Sequence, residues 1–251
     1  MNGRRLERCR GNASNKAAKR IAKLKGFFLQ AYSVIMFRYA SWNTAALQKQ
    51  GRNLNVGRLH IGCGHVLLSG WLNIAFETRE EYGRIKTRGG APYLNYNLLK
   101  PWPFDSGSIE YIAASHFIEH LDLNQGMEFT KRCYGVLKSG GVLRLSCPDL
   151  ELYAKNYAQN NKNFFNHPLI KEWCCFKNAV TPGEIFIAKA YDSGGSHKWF
   201  YDFESLKHIL EAAGFTSVQR VGRLEGRTPD LKKIELEKRE LETVYMEAVK
   251  I

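Results

Sequence analysis

The stretch that decides the fold is Leu59–His65, which reads L-H-I-G-C-G-H. A short apolar segment ends here directly in a Gly-x-Gly turn. Glycine lets the backbone turn tightly and approach a ligand closely, because it has no Cβ atom. In open α/β sheets, ligands bind at such turns, where the strands reach their carboxyl ends. A plain turn at a strand end has the same pattern, so the surrounding sequence has to decide.

The chain beyond residue 53 alternates short apolar runs with helical stretches. This alternation predicts an α/β fold. The predicted helices are 125–137, 150–159 and 204–213, and the predicted strands are 58–61, 71–76, 93–96, 109–114, 141–146, 217–221 and 242–249. Polar and apolar residues alternate in the last strand, which predicts an antiparallel strand near an edge of the sheet, with one wetter face.

The excess of positive charge lies in the N-terminal part of the chain. The 251 residues have a formal net charge of +13, and 44% of them are hydrophobic, which excludes an intrinsically disordered chain. Residues 1–58 hold thirteen basic residues and one acidic residue, for a net charge of +12. The rest of the chain therefore has a net charge of only +1.

The N-terminal arm is predicted to contain one helix, from Lys16 to Ala46. Apolar residues recur there at steps of three or four, no proline interrupts them, and most basic residues lie off the apolar stripe. Three interpretations remain open: a helix packed on the following domain, a basic amphipathic helix on an anionic membrane surface, and an RNA-binding arm. The apolar run Phe27–Phe37 is too short to cross a bilayer, which takes about 20 residues.

We expect two parts in the chain: a basic amphipathic helical arm at 1–55 and an α/β domain at 56–251, with an insert at about 150–202. The insert is rich in aromatic residues and asparagine, which suits a sugar ring, although a plain hydrophobic cover would use similar residues. The six cysteines are scattered without a Cys-x-x-Cys pair. We therefore expect a reducing, cytoplasmic location, with a peripheral position at the inner face of a membrane if the arm docks there.

Further motifs follow the Gly-x-Gly turn at ordered distances. They are G-W-L-N at 70–73, P-W-P-F-D at 101–105, S-H-F-I-E-H-L at 115–121, Y-G-V-L-K-S-G-G-V-L-R-L at 134–145 and P-D-L at 148–150. Together these motifs resemble the class I S-adenosylmethionine-dependent methyltransferases, and most closely a bacterial, type 11-like branch often linked to surface-polysaccharide functions. The resemblance covers roughly residues 57–251. It implies a Rossmann-like, seven-stranded, mostly parallel sheet with an antiparallel last strand and helices on both faces, and S-adenosyl-L-methionine as the cofactor.

The resemblance also assigns residues to the methionine end of the cofactor. Gly62, Cys63 and Gly64 would bring their backbone against the methionine portion. Ser115, at the end of a predicted strand, would lie on the floor beneath the transferable methyl group.

The ribose and adenine positions depart from the pattern of this family. The acid that normally binds the ribose hydroxyls is replaced by Ala75, which cannot accept hydrogen bonds through its side chain. Glu77 points to the same side of the strand and is the candidate substitute, the alternative being a solvent-facing charge at a strand end. Asn97 stands where relatives often have aspartate near the adenine, and its amide can both donate and accept hydrogen bonds.

Two histidines are candidates for catalysis. A hydroxyl acceptor benefits from a general base, and histidine titrates near neutral pH. His116 lies at the carboxyl end of the predicted strand 109–114, and His197 lies in a Gly-Ser stretch that predicts a mobile flap over the site. A histidine in an ordinary surface loop is the alternative for His197.

The segment His116–His120 also spells H-x-x-E-H, the inverted zinc-protease signature. That chemistry needs both histidines on one face of a helix. Here a strand precedes the segment and Leu121-Asp122 interrupts it, so we expect no metal.

The sequence therefore predicts a methyltransferase that acts on a small-molecule or glycan-precursor acceptor, at a hydroxyl group. The alternative is a non-catalytic protein of this fold that docks to a membrane or a complex through its basic helix, and Ala75 and Asn97 favour it. A third hypothesis, RNA methylation, predicts binding that depends steeply on salt. The nearly neutral α/β domain disfavours a nucleic acid, because it offers no evident basic cluster.

Overall fold

The computed structural model describes residues 46–53, 55–77, 82–174, 176–191 and 196–251. The predicted arm helix at 16–46, except for its last residue, lies outside the described residues, and so does most of the Gly-Ser part of the predicted flap. Among the helices that the structure does describe, none has the length and apolar character needed to span a membrane.

One sheet of eight strands forms the centre of the described chain, in the order β3-β4-β2-β1-β5-β6-β8-β7. The strands are β1 Arg58–Ile61, β2 Leu72–Ala75, β3 Ile85–Arg88, β4 Ala91–Asn95, β5 Ile109–Ser115, β6 Leu137–Pro148, β7 Ser217–Arg220 and β8 Thr243–Val249. The five neighbouring strands β4, β2, β1, β5 and β6 run parallel to one another, and β8 is antiparallel to both β6 and β7. This arrangement confirms the predicted Rossmann-like α/β fold with an antiparallel last strand.

The resemblance implies seven strands, and the additional strand in the structure, β3, was not predicted. It pairs antiparallel with β4 at the edge of the sheet through a two-residue turn, Gly89-Gly90. Both glycines have positive φ, 54° and 79°, which is the conformation that a tight hairpin requires. The strand itself reads I-K-T-R and is only partly buried, so it gives only a weak strand signal.

The predicted helices begin and end within two residues of their observed counterparts. The helices are α1 at 46–53, α2 Leu123–Val136, α3 Leu150–Ala158, α4 Lys162–Phe165, α5 Pro168–Glu172, α6 Pro182–Ala190, α7 Phe203–Ala212 and α8 Leu231–Ile234, with 3-10 turns at Ile118–His120 and Glu237–Glu242. Asp122 and Asp202 cap α2 and α7 by accepting a hydrogen bond from the backbone N–H three residues on. Both helices pack their apolar residues against the sheet in the main core.

The insert has a small aromatic core of its own. Tyr153, Phe164 and Phe165 are buried with Ile170 and Ile185, which come from α5 and α6. The ring centroids of Tyr153 and Phe164 lie 5.2 Å apart in an edge-to-face arrangement. These rings therefore hold the insert together, and they are not presented to a ligand.

The other face of the sheet is covered by the segment between β7 and β8. There Glu247 is buried, and its carboxylate accepts hydrogen bonds from the backbone N–H groups of Arg227 and Thr228. The prediction of a wetter face on β8 is therefore wrong. The polar residues alternate as predicted, but the chain folds back over them and supplies hydrogen-bond partners to Thr243 and Glu247.

Candidate functional site

A cleft of about 990 Å³ opens where the parallel strands β1, β2, β4 and β5 reach their carboxyl ends. This is the edge at which open α/β sheets bind ligands. Its lining comes from the loop after each strand, from the first turns of α2 and from Lys198. Of the eight predicted site residues, Gly62, Gly64, Glu77, Asn97 and His116 line the cleft.

The Gly-x-Gly turn after β1 forms one wall of the cleft. Gly62 and Gly64 both have positive φ, 67° and 51°. A Cβ atom on Gly62 would lie only 3.0 Å from the side chain of Phe117, whereas one on Gly64 would meet nothing within 4 Å. Gly62 therefore allows close packing of the loop after β5, and Gly64 leaves backbone accessible to a ligand.

Cys63 takes part in this turn through its backbone, since its N–H donates to the carbonyl oxygen of Ile74 at 3.1 Å. Its thiol is buried and does not line the cleft. Burial raises the pKa of Cys63 to about 12, so the side chain is a neutral thiol at physiological pH.

Glu77 is held in a fixed position just beyond β2. Its Oε1 accepts hydrogen bonds from Arg88 Nη1 at 2.8 Å and from the Tyr93 hydroxyl at 2.9 Å. These two bonds hold the pKa of Glu77 below its usual range, so the carboxylate is ionised. The buried side chain of Asn95 bonds both the N–H and the C=O of Glu77, which fixes the backbone.

Two exposed apolar side chains in the cleft were missed by the sequence analysis. Phe76 is 57% exposed and Leu99 is 43% exposed, although both adjoin buried strands. Asn97 also lines the cleft, and its side-chain oxygen accepts the N–H of Leu99 at 2.9 Å. The signal was available, because Phe76 ends the predicted strand 71–76 and Leu99 lies three residues beyond the predicted strand 93–96.

Ser115 lies outside the cleft lining and faces the opposite side of the sheet. Its hydroxyl donates to Glu235 at 2.9 Å and lies 2.9 Å from the Ser146 hydroxyl. Side chains alternate along a strand, so Ser115, the last residue of β5, and His116, the next residue, lie on different faces of the sheet.

His116 lines the cleft in a left-handed conformation, with a φ of 50°. Thr243 donates its hydroxyl proton to a carbonyl, so the ring donates from Nε2 to Thr243 Oγ1 at 3.0 Å. Arg239 Nη1 lies 3.0 Å from Nδ1 and donates to it. Both nitrogens of the ring are therefore engaged, and the ring is neutral in this arrangement.

His197 is buried, with 8% of its surface exposed, and it does not line the cleft. Its ring centroid lies 5.0 Å from that of His120, which does line the cleft. The interpretation of His197 as an ordinary surface residue therefore does not hold. The N–H groups of Lys198 and Trp199 donate to the carbonyl of Glu119, which attaches this segment to the loop after β5.

Glu119 is buried between these histidines, with 1% of its surface exposed. Within the described residues neither of its carboxylate oxygens has a hydrogen-bond partner. Burial raises the pKa of Glu119, whereas protonated imidazoles of His116, His120 and His197 would lower that pKa.

No protein-family model matches the chain, and no curated protein sequence matches it. Among solved structures, the fold resembles a SAM-dependent methyltransferase from Thermotoga maritima, described as a possible histamine N-methyltransferase, at 16% identity over 89% of this chain and 96% of that one, with a TM-score of 0.46. It also resembles a SAM-dependent methyltransferase from Archaeoglobus fulgidus, at 16% identity over 87% of this chain and 100% of that one, with a TM-score of 0.43. At such low identity the likeness does not extend to an activity, which has to be argued from the site.

Proposed function

We propose that this protein is an S-adenosyl-L-methionine-dependent methyltransferase whose cofactor lies in the cleft between the Gly-x-Gly turn and Glu77. The observation that carries the proposal is that both features open into one cleft at the carboxyl ends of β1 and β2. The turn offers backbone to the methionine end of the cofactor. Phe76 and Leu99 offer apolar surface to the adenine ring, and the amide of Asn97 offers hydrogen bonds to its edge.

In this proposal Glu77 takes the role of the ribose-binding acid, whose usual position is occupied by Ala75. Its Oε1 is occupied by Arg88 and Tyr93, so the ribose hydroxyls donate to Oε2. Arg88 and Tyr93 hold the carboxylate, and Asn95 holds the backbone of Glu77, before the cofactor arrives. A carboxylate that is already positioned and ionised loses little freedom on binding.

Methyl transfer from a sulfonium is an in-line displacement, so the main task of the protein is to hold the acceptor atom beyond the methyl group. Of the two predicted bases, His116 lines the cleft and His197 does not. We assign the base to His116 for a hydroxyl acceptor, and proton transfer to Nδ1 requires Arg239 to move away from that nitrogen.

The acceptor that we propose is a small molecule, and more specifically a glycan precursor. The glycan precursor is supported by the resemblance of the sequence motifs alone, because the aromatic rings of the insert core pack on each other and are not available to stack on a sugar ring. The cytoplasmic location likewise remains a proposal. Within the described chain Cys63, Cys133, Cys147 and Cys174 are buried and form no disulfide bond, which is compatible with a reducing compartment.

The test is calorimetric titration of the full-length protein with S-adenosylmethionine, together with the variant Glu77→Gln. Loss of charge-assisted hydrogen bonds costs about 1.5–3 kcal/mol, so we expect Glu77→Gln to weaken binding roughly ten- to hundredfold. The matched control is Glu110→Gln, which removes a carboxylate paired with Lys138 away from the cleft and should leave binding unchanged.

Three outcomes separate the hypotheses. Absence of binding at millimolar cofactor contradicts the whole proposal. Equal affinity in Glu77→Gln and in the parent protein contradicts the ribose contact only. Tight binding without methyl transfer to any component of a cell extract favours the non-catalytic protein.

A further inference from the structure

One carboxylate and two imidazoles form a buried group at the edge of the cleft, and the proposed binding of the cofactor does not use them. Glu119 and His120 belong to the 3-10 turn after β5, and His197 comes from the segment before α7. One ligand atom from each of the three residues lies within 4.8 Å of the other two. Ligand atoms in a tetrahedral zinc site lie about 3.3 Å apart, so modest side-chain rotation closes the set around an ion.

Both imidazoles are oriented by backbone carbonyls. His120 Nδ1 lies 3.2 Å from the carbonyl oxygen of Ser196, and His197 Nδ1 lies 3.1 Å from that of Lys189. A carbonyl oxygen can only accept, so His197 donates from Nδ1 and, when neutral, carries its lone pair on Nε2. His120 Nδ1 also lies 3.1 Å from the Ser196 hydroxyl, and in the tautomer that donates from Nδ1 to Ser196 the lone pair of His120 is likewise on Nε2. Histidines that ligate metals are typically fixed in this way by a second hydrogen bond.

The surroundings of the Glu119 carboxylate are independent evidence for a bound ion. A buried carboxylate without a hydrogen bond is costly, and in native structures it calls for a specific explanation such as an ion. His116 Nδ1 lies 3.3 Å from Glu119 Oε1, but this nitrogen accepts a hydrogen bond from Arg239 and therefore has no proton to donate. A divalent cation between Glu119 and the two imidazoles supplies the charge that the carboxylate lacks.

We propose that Glu119, His120 and His197 bind a divalent transition-metal ion, with zinc as the class that fits two imidazoles and one carboxylate. Three protein ligands leave a fourth position for water or for a substrate atom, as in catalytic zinc sites. Because His120 lines the cleft, this fourth position lies at the cleft wall, where it can hold a hydroxyl or other lone-pair donor of the acceptor.

The proposed ligand set differs from the H-x-x-E-H motif of the sequence. In that motif His116 and His120 would bind the metal and Glu119 would be the base. In the structure His116 is occupied by Thr243 and Arg239, and it precedes a single 3-10 turn instead of belonging to a long helix. The third ligand, His197, comes from a distant part of the chain.

The experiment uses the full-length protein after treatment with a chelator, without S-adenosylmethionine. Zn²⁺ is titrated against a chromophoric competitor, and Co²⁺ is added separately to record the visible absorption of the bound ion. We expect one equivalent of metal, and an affinity about 100-fold lower or worse in His120→Ala, His197→Ala and Glu119→Gln. His208→Ala, at an exposed position on α7, is the matched control and should bind like the parent protein.

The midpoint of thermal unfolding, measured with and without Zn²⁺, provides a second test in case a variant is less stable than the parent protein. Metal that binds only the native state raises its midpoint, so Zn²⁺ should stabilise the parent protein and His208→Ala but not the three ligand variants. Less than one equivalent bound at stoichiometric Zn²⁺, or equal binding by all four variants, overturns the proposal. Because no cofactor is present, failure here leaves the proposed methyltransferase function untouched, and failure of cofactor binding leaves the metal site untouched.

Discussion

Arg144 lies in the middle of β6 with no exposed surface, and its guanidinium group determines how one face of the sheet is covered. It donates to Glu235 Oε1 at 3.0 Å and to the backbone carbonyls of Gly222, Arg223 and Glu225. The other oxygen of Glu235 accepts from two serine hydroxyls at the ends of β5 and β6. One buried ion pair therefore attaches the segment between β7 and β8 to the centre of the sheet.

We expect Arg144→Met to lower the free energy of unfolding by about 3–5 kcal/mol, measured by urea denaturation. The variant keeps an apolar side chain of similar length but leaves Glu235 as an unpaired buried charge. Lys138→Met is the control on the same strand, because it removes an exposed ion pair with Glu110, which should cost about 1 kcal/mol or less.

A second substitution distinguishes loss of the ion pair from loss of packing. If the unpaired carboxylate causes the destabilisation, Glu235→Gln in the Arg144→Met background should recover part of the stability. A cost for Arg144→Met no larger than that for Lys138→Met would show that the pair does not hold the covering segment.

Single residues of the candidate site were predictable only where local sequence places them. Gly62, Glu77 and Asn97 line the cleft because each adjoins the carboxyl end of a parallel strand, and those ends are visible in the hydrophobic pattern. The group around Glu119 was not predictable in the same way. Its third member, His197, reaches it through the folding of the insert, for which the sequence has no periodic signal.

At the scale of secondary structure, elements with a strong period were predictable and short mixed elements were not. The core strands and the helices α2, α3 and α7 follow from apolar periodicity, and their observed bounds differ little from the predicted ones, except that β6 begins four residues earlier and ends two residues later. Strand β3 was missed because it is short and has a single apolar residue, next to lysine and arginine. Its hairpin was nevertheless encoded by Gly89-Gly90, since two consecutive glycines favour a tight turn between strands.

We expect Gly90→Ala to destabilise the protein by about 1–2 kcal/mol, because its φ of 79° is strained for any residue with a Cβ atom. A Cβ atom at this position would meet nothing within 4 Å, so the cost is one of backbone conformation alone. Cofactor affinity should also fall, since the hairpin holds Arg88 against Glu77.

Two further glycine variants test whether conformation is the cause. Gly90→Asn should be less harmful than Gly90→Ala, because asparagine visits the left-handed region more readily. Gly135→Ala, in α2 and equally free of close neighbours, should be neutral or stabilising, since alanine favours a helix. If all three variants unfold at the same urea concentration as the parent, the turn conformation does not matter for stability.

At the scale of the whole molecule, charge divides the chain into a basic arm and a nearly neutral α/β domain. The +12 of residues 1–58 comes with a predicted amphipathic helix, and this combination is typical of segments that lie on anionic membrane surfaces. We therefore propose that the arm docks the protein at a membrane surface. Each basic residue near such a surface contributes about 1 kcal/mol at most, so several must act together.

We expect replacement of Lys16, Lys19, Arg20 and Lys23 by glutamine, in the full-length chain, to weaken binding to phosphatidylserine-containing vesicles at least tenfold in a co-sedimentation assay. Added salt should weaken binding of the parent protein and have less effect on the variant, because charges near the surface are screened within about 8–10 Å. Cofactor binding should be unchanged, since the cleft is built entirely from residues beyond 61.

The control variant replaces four exposed lysines of the α/β domain, Lys131, Lys162, Lys171 and Lys232, by glutamine. It changes the net charge by the same amount but leaves the arm intact, so it separates the position of the charge from its total. Equal loss of vesicle binding in both variants would mean that net charge alone attracts the protein. Retention of binding by the arm variant would instead assign membrane contact to the apolar stripe of the predicted helix or to another surface.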